Sequence, residues 1–192
     1  MANVARSEFL RDDTIDPGAQ ERFNEFVSRH RTSDSRQLRT RRNDVPNSLV
    51  HFSRDITINA FRFLIGYAIE RDLPIKHISG ALNPEFYHHE SLISGAQNII
   101  DSGLPYDLIV YLNIDELKTN KYFNIVKNND NIIHISTECD SYFHFFLVGT
   151  QAFRLDRDHR TGEAVVSFDD RHTGGYLDLY FDTRKNSAIQ QL

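Results

Sequence analysis

Between two segments patterned as helices, residues 107–113 read Asp-Leu-Ile-Val-Tyr-Leu-Asn, the clearest buried strand in the chain. An apolar run that is continuous rather than alternating belongs to a strand covered on both faces. Covering both faces takes layers of helix, so this short run points the chain toward an α/β arrangement.

The flanking segments agree with it. Ile58, Phe61, Ile65, Ala68 and Ile69 share one face of a helix expected over 57–71, which Leu73-Pro74 ends. Residues 74–80 read as a short strand. Asn83-Pro84 is a helix start, with asparagine as cap and proline as first residue, and Leu92, Ile93, Ala96, Ile99 and Ile100 carry one long helix to Gly103. A helix over 115–128, through Leu117, Phe123 and Val126 and weakened by Thr119 and Asn120, leads to a strand at 132–136. Residues 142–149, 151–156 and 164–168 read as successive antiparallel strands, the last two joined by a hairpin loop holding Gly162. Residues 174–185 close the chain as a helix with Leu177, Tyr180 and Phe181 inward.

Strands separated by helices imply parallel pairing with right-handed crossovers, and the hairpins add antiparallel edges. The expected architecture for residues 49–192 is an α/β domain, a three-layer mixed sheet flanked by helices. Residues 1–48 form an N-terminal extension: a short amphipathic helix over 19–29 with Phe23, Phe26 and Val27 among charges, then a polar arm in which Leu38 and Val45 are the only strong apolar residues.

A chain of 192 residues with 40% apolar composition can bury one such core. There is no uninterrupted apolar window of about 18 residues, and the start of the sequence has neither a basic stretch nor an apolar signal core, so a soluble cytoplasmic protein with no membrane partner is expected. The single cysteine, Cys139, excludes an intrachain disulfide and any CxxC motif, and its neighbours Glu138 and Asp140 oppose thiolate formation. The formal charge is -5, unevenly spread: residues 1–49 carry nine Lys/Arg against eight Asp/Glu, and residues 50–192 carry thirteen against nineteen.

The basic character concentrates in Arg36, Arg39, Arg41 and Arg42, joined by Arg29 and Arg31. Each can neutralise a phosphate, which makes the arm a candidate contact for nucleic acid or another anionic partner, though no aromatic is interleaved for base stacking and a solvated tether has the same composition. His88-His89-Glu90 with His77 and His134 supplies ligand types that suit zinc or manganese. Adjacent helical histidines point about 100° apart, however, and neither a metal nor another cofactor is expected. A metal-dependent nuclease built on Asp107, Asp115 and Glu138 lacks its lysine, since Asp140 occupies the place two residues after Glu138.

The segment Asn131–Arg154 is the place for chemistry, because His144 opens a run of β-branched and aromatic residues between two extended segments. From about Ile56 to Lys185 the chain resembles one half of a phospholipase D-like fold, through the order of its elements and three phrases: HISGALNPEFY, the HIS ahead of the histidine-bearing strand, and HFFLVGTQAFRLDRD followed by AVVSFDD. The resemblance implies a His-x-Lys motif followed by Asp from each of two halves, one histidine attacking phosphorus while the lysines hold phosphate oxygens. With one half present, it implies a homodimer in which His144 of two copies face each other.

The motif itself departs from the pattern. Phe146 and Gln151 stand where the lysine and the aspartate belong, and neither a cation nor a carboxylate can be replaced by these groups. Losing one electrostatic donor costs on the order of 10² to 10³ in rate. Arg154 or Lys76 are the candidates to supply a cation to His144. The expectation is a degenerate domain of bacterial or phage type that binds, assembles or regulates without hydrolysis. The alternative is a metal-independent phosphodiesterase or nuclease using His144 across a dimer. A third reading makes the acidic body a regulatory partner of another protein.

Overall fold

The computed structural model describes residues 48–51, 54–111, 114–127, 132–134, 143–158 and 163–189. The elements run β1 (Ser48–His51), α1 (Arg54–Arg71), β2 (Ile75–Ser79), α2 (Pro84–Tyr87), α3 (Glu90–Ser102), β3 (Tyr106–Val110), α4 (Ile114–Leu117), α5 (Lys121–Val126), β4 (Ile132–His134), β5 (Phe145–Val148), β6 (Ala152–Asp158), β7 (Glu163–Ser167) and α6 (Arg171–Ile189). The extension read over 1–48 lies outside the described residues except for Ser48, and with it the amphipathic segment and Arg36, Arg39, Arg41 and Arg42.

Among the described residues seven strands form one mixed sheet in the order β1-β7-β6-β5-β2-β3-β4. β2, β3 and β4 are parallel, with helices in each crossover, while β5 lies antiparallel to β2 and continues through β6 and β7 to β1. The α/β mixed sheet flanked by helices is as expected. The antiparallel strands are not merely edges, however, because β5 sits in the centre of the sheet beside β2.

Strand periodicity sorts side chains onto two cores. Tyr106, Leu108, Phe146, Val148 and Val166 meet α1, α3 and α5 through Phe61, Leu64, Ile65, Leu92, Ile99, Tyr122 and Val126. On the other face Ile78, Ile109, Phe145, Leu147 and Phe153 meet Leu177 and Phe181 of α6. Helices therefore cover both faces, which is why β3 and β5 read as continuous apolar runs. Ile69, assigned by spacing to the buried face of α1, is instead 36% exposed, and Leu64 is buried.

Local chemistry explains where the expected elements divide. The long helix anticipated over 83–103 is two: Asn83 caps α2 by accepting from Glu85 N–H, and His89 then caps α3 by accepting from Ser91 N–H. A capping side chain satisfies a backbone donor that a continuing helix would leave to its own carbonyls. Gly103 ends α3 at φ 67, as the glycine pattern predicts. Asn120 divides the helix expected over 115–128, accepting from Phe123 N–H at the head of α5 and donating to the Leu82 carbonyl at 2.8 Å. Asp72, at φ 53, stops α1 before Leu73-Pro74.

α6 is seated by a backbone contact at its first turn. A Cβ on Gly174 would lie 2.2 Å from the Thr150 carbonyl oxygen in the β5–β6 turn, so only glycine lets the helix approach. Gly174→Ala is expected to destabilise the fold by about 1–3 kcal/mol, the usual range for forcing an extra group into a packed site. Urea unfolding of the two proteins checks it, and an unchanged midpoint would show that the turn yields freely.

Candidate binding crevice

The chain leaves β2 toward β3 and β4 on one side and returns to β5 on the other, so the strand order reverses at β2. In open α/β sheets the carboxyl ends of strands at such a switch leave a crevice where ligands bind. Here β2 ends at Ser79, and because Ile78 pairs with Phe145, His144 stands at the same end of the sheet.

The turn after β2 makes room for it. His144 packs directly on Gly80: a Cβ there would sit 2.6 Å from His144 Cε1 and 3.1 Å from Nε2. The His144 carbonyl accepts from Asp156 N–H at 2.9 Å, which fixes β5 against β6 at this level. Leu82, fully buried, adopts φ 44, a region that costs a leucine about 1–3 kcal/mol. Its N–H donates to Ser79 Oγ at 3.2 Å and its carbonyl accepts from Asn120, so the strained turn is held at both ends.

Arg154 and Asp156 alternate along β6 with Leu155 between them, and register puts Arg154 beside Phe146 on the same sheet face as His144. The Arg154 guanidinium is paired with the Asp156 carboxylate and lies 5.4 Å over the Phe61 ring. Arg154 thus lies on the crevice side of the sheet, with its charge already engaged by an acid. Lys76 is not brought there, and this corrects the expectation. It points to the opposite face of the sheet, bonded to Asp178 at 2.7 Å and Asp182 at 2.6 Å on α6. Burial works against its charge, but those two carboxylates outweigh it and raise its pKa.

Phe146 and Gln151, two and seven places after His144, both serve the core and its surroundings. Phe146 is 0% exposed and packs edge-on against Phe61 and His77 at centroid distances of 5.1 and 5.2 Å. Gln151 follows the far end of β5 and donates to the Tyr67 hydroxyl at 2.9 Å. At roughly 3.3 Å rise per strand residue, the length of β5 keeps it more than about 13 Å along the sheet from His144.

His77 lies behind the crevice, in the same row as Phe146 and Arg154. Its Nδ1 shares a hydrogen bond with the Tyr106 hydroxyl at 2.8 Å and its Nε2 with the Tyr87 hydroxyl at 3.0 Å, and Tyr106 is bonded in turn to Tyr122 at 3.2 Å. Burial, reinforced by the nearby His144 and Arg154, pushes its pKa down to about 3. Burial also raises the tyrosines, Tyr122 to about 12. His77 is therefore neutral with both nitrogens occupied, and it is no acid partner for His144.

The remaining histidines weighed as metal ligands have other roles. His88 Nε2 accepts from Lys121 N–H at 3.2 Å and His89 caps α3. His134 has no described side chain. Among the described residues no three histidine, cysteine, aspartate or glutamate side chains gather into a metal-holding group, and no helix is long and apolar enough to cross a membrane. The tyrosine partners of His77 were not legible in the sequence, because they lie 10 and 29 residues away in different elements. Gly80 carried a signal, a glycine directly after a strand, which marks close approach of another group.

No protein-family model matches the chain, and no curated protein matches it. Among solved structures it is similar to TrmBL2, an archaeal chromatin protein whose structure is described as showing a novel mode of DNA binding. The identity is 16% and the TM-score 0.48, over 88% of this chain and 66% of that one. The chain thus spans just under two thirds of the length of TrmBL2.

Proposed function

We propose that this chain is a degenerate phospholipase D-like domain that binds a ligand at the crevice of Gly80, His144, Arg154 and Asp156, and acts in assembly or regulation without hydrolysing phosphodiesters. The observation that carries this reading is Phe146, a core side chain at the position where hydrolysis needs a cation. Arg154 does not restore that cation, because Asp156 neutralises it. What is left is a half-buried imidazole and an ion pair at a switch point, which is recognition chemistry.

The test is to incubate the full chain, with and without EDTA, with labelled single- and double-stranded DNA and RNA and with bis(p-nitrophenyl) phosphate. No turnover above the His144→Ala variant is expected. EDTA-resistant cleavage that disappears in His144→Ala would overturn the proposal and install a metal-independent phosphodiesterase in its place. Anisotropy of the same oligonucleotides also examines the arm: binding that is lost on replacing Arg36, Arg39, Arg41 and Arg42 with alanine assigns the polyanion contact to those arginines.

A further inference from the structure

The outward face of α6 has an unusual composition for a chain that is one-quarter charged. His172, Gly175, Tyr176, Leu179, Thr183 and Asn186 are exposed along it, with Leu179 66% and Tyr176 56% accessible. Between 178 and 185 every charged side chain of the helix is turned aside from this line. Asp178 and Asp182 hold Lys76, Arg184 lies 5.3 Å over the Tyr180 ring, and Lys185 holds Asp107 at 3.1 Å.

Two hydroxyls on or beside the face, those of Thr183 and Ser187, bond within the helix. Thr183 Oγ1 donates to the Leu179 carbonyl at 2.9 Å and Ser187 Oγ to the Thr183 carbonyl at 2.9 Å. Covering the face therefore strands neither of these two hydroxyls, which removes the usual cost of burying them. Nothing lies within 4 Å of where a Gly175 Cβ would be, so another backbone can come close.

We propose that the face receives the α6 of a second copy of this chain, antiparallel, about a two-fold axis through Leu179. A two-fold axis sets each residue against its mirror position, and the mirrored pairs suit one another. Leu179 meets Leu179, Gly175 meets Thr183, and His172 meets Asn186 as imidazole against amide. The copies carry a formal charge of -5 each, and an uncharged face is where two such bodies approach without setting like charges together. Phe143, 44% exposed, extends the surface beside the helix, its ring 6.4 Å from Tyr176 and 5.4 Å from Tyr180. Because Phe143 precedes His144, the second copy sits next to the crevice. The face stands in place of the His144 side as the site of pairing, and it is independent of what the crevice binds. One helix pair buries less than the roughly 800 Å² per partner of a stable interface, so the dimer is a weak, concentration-dependent one.

The experiment uses the full chain, followed by sedimentation velocity from about 5 to about 500 µM, a range that brackets a micromolar dissociation constant. A monomer–dimer equilibrium is expected, weakened at least about tenfold by Leu179→Asp, the size of a modest interface anchor. In a Cys139→Ser background, Leu179→Cys is expected to form a self-disulfide under mild oxidation, and Gly175→Cys mixed with Thr183→Cys to cross-link to each other. A wild-type dimer unaffected by Leu179→Asp would overturn the proposal, as would Thr183→Cys cross-linking to itself in place of Leu179→Cys. A chain that stays monomeric while shielding Leu179→Cys from alkylation assigns the face to residues 1–47 of the same chain, and also overturns it.

Discussion

Phe146→Lys, the substitution that places a lysine two residues after His144, is expected to abolish folding and to yield no phosphodiesterase. Removing a buried phenylalanine costs about 3–5 kcal/mol, and Phe146 here packs edge-on against Phe61 and His77 with no exposed surface. Placing an ammonium in that position adds the cost of an unpaired buried charge, beside an Arg154 that is already positive. The sum approaches or exceeds the roughly 5–15 kcal/mol by which whole domains are stable. Circular dichroism and urea titration of the variant test the first half, and turnover of a simple diester the second. A folded Phe146→Lys protein with wild-type stability would show that this position opens toward solvent, and the degenerate reading would lose its main support.

The stability of the wild type is expected to fall by about 1.4 kcal/mol for each pH unit between about 6 and 4, relative to His77→Gln. In the unfolded chain His77 takes up a proton near pH 6.5, whereas in the folded protein it does so only near 3. The unfolded state binds more protons throughout that window, so the stability His77 contributes is present above 6.5 and is lost as the pH falls toward 3, by about 4–5 kcal/mol in all. The substitution also removes bonds to Tyr87 and Tyr106, so its absolute cost is separate, and the informative quantity is the difference in slope. Carboxylates titrate in both proteins and cancel in the comparison. Parallel pH profiles would mean that His77 reaches water.

Much of the architecture could be read from local chemistry. The apolar runs at 108–111 and 145–148 are continuous because helices lie on both faces, and the Asn83-Pro84 start and Gly103 stop act where their dihedral preferences put them. The rest turns on local competition for backbone donors and on information held between elements. Whether His89 continues a helix or caps a new one depends on competition with Ser91 N–H, and whether β5 joins an edge or the centre depends on β2, nearly seventy residues earlier. The candidate site divides in the same way. His144 stands out because of its position ahead of an apolar strand, whereas the place of Arg154 is set by the register of β6 against β5, which spacing alone does not give. Lys76 was misassigned because a one-residue difference in strand phase decides which face of the sheet a side chain serves.

Among the described residues β1 pairs only with β7, a strand that begins 112 residues after His51 (163 − 51). At synthesis rates of about 5–20 residues per second, Ser48–His51 waits for roughly 6–22 seconds before its hydrogen-bonding partner has been made. Closing the sheet is therefore a late event tied to the C-terminal part of the chain. A product truncated anywhere before 163 keeps its first strand as an open template, and such products are the ones a cell's chaperones and proteases must recognise.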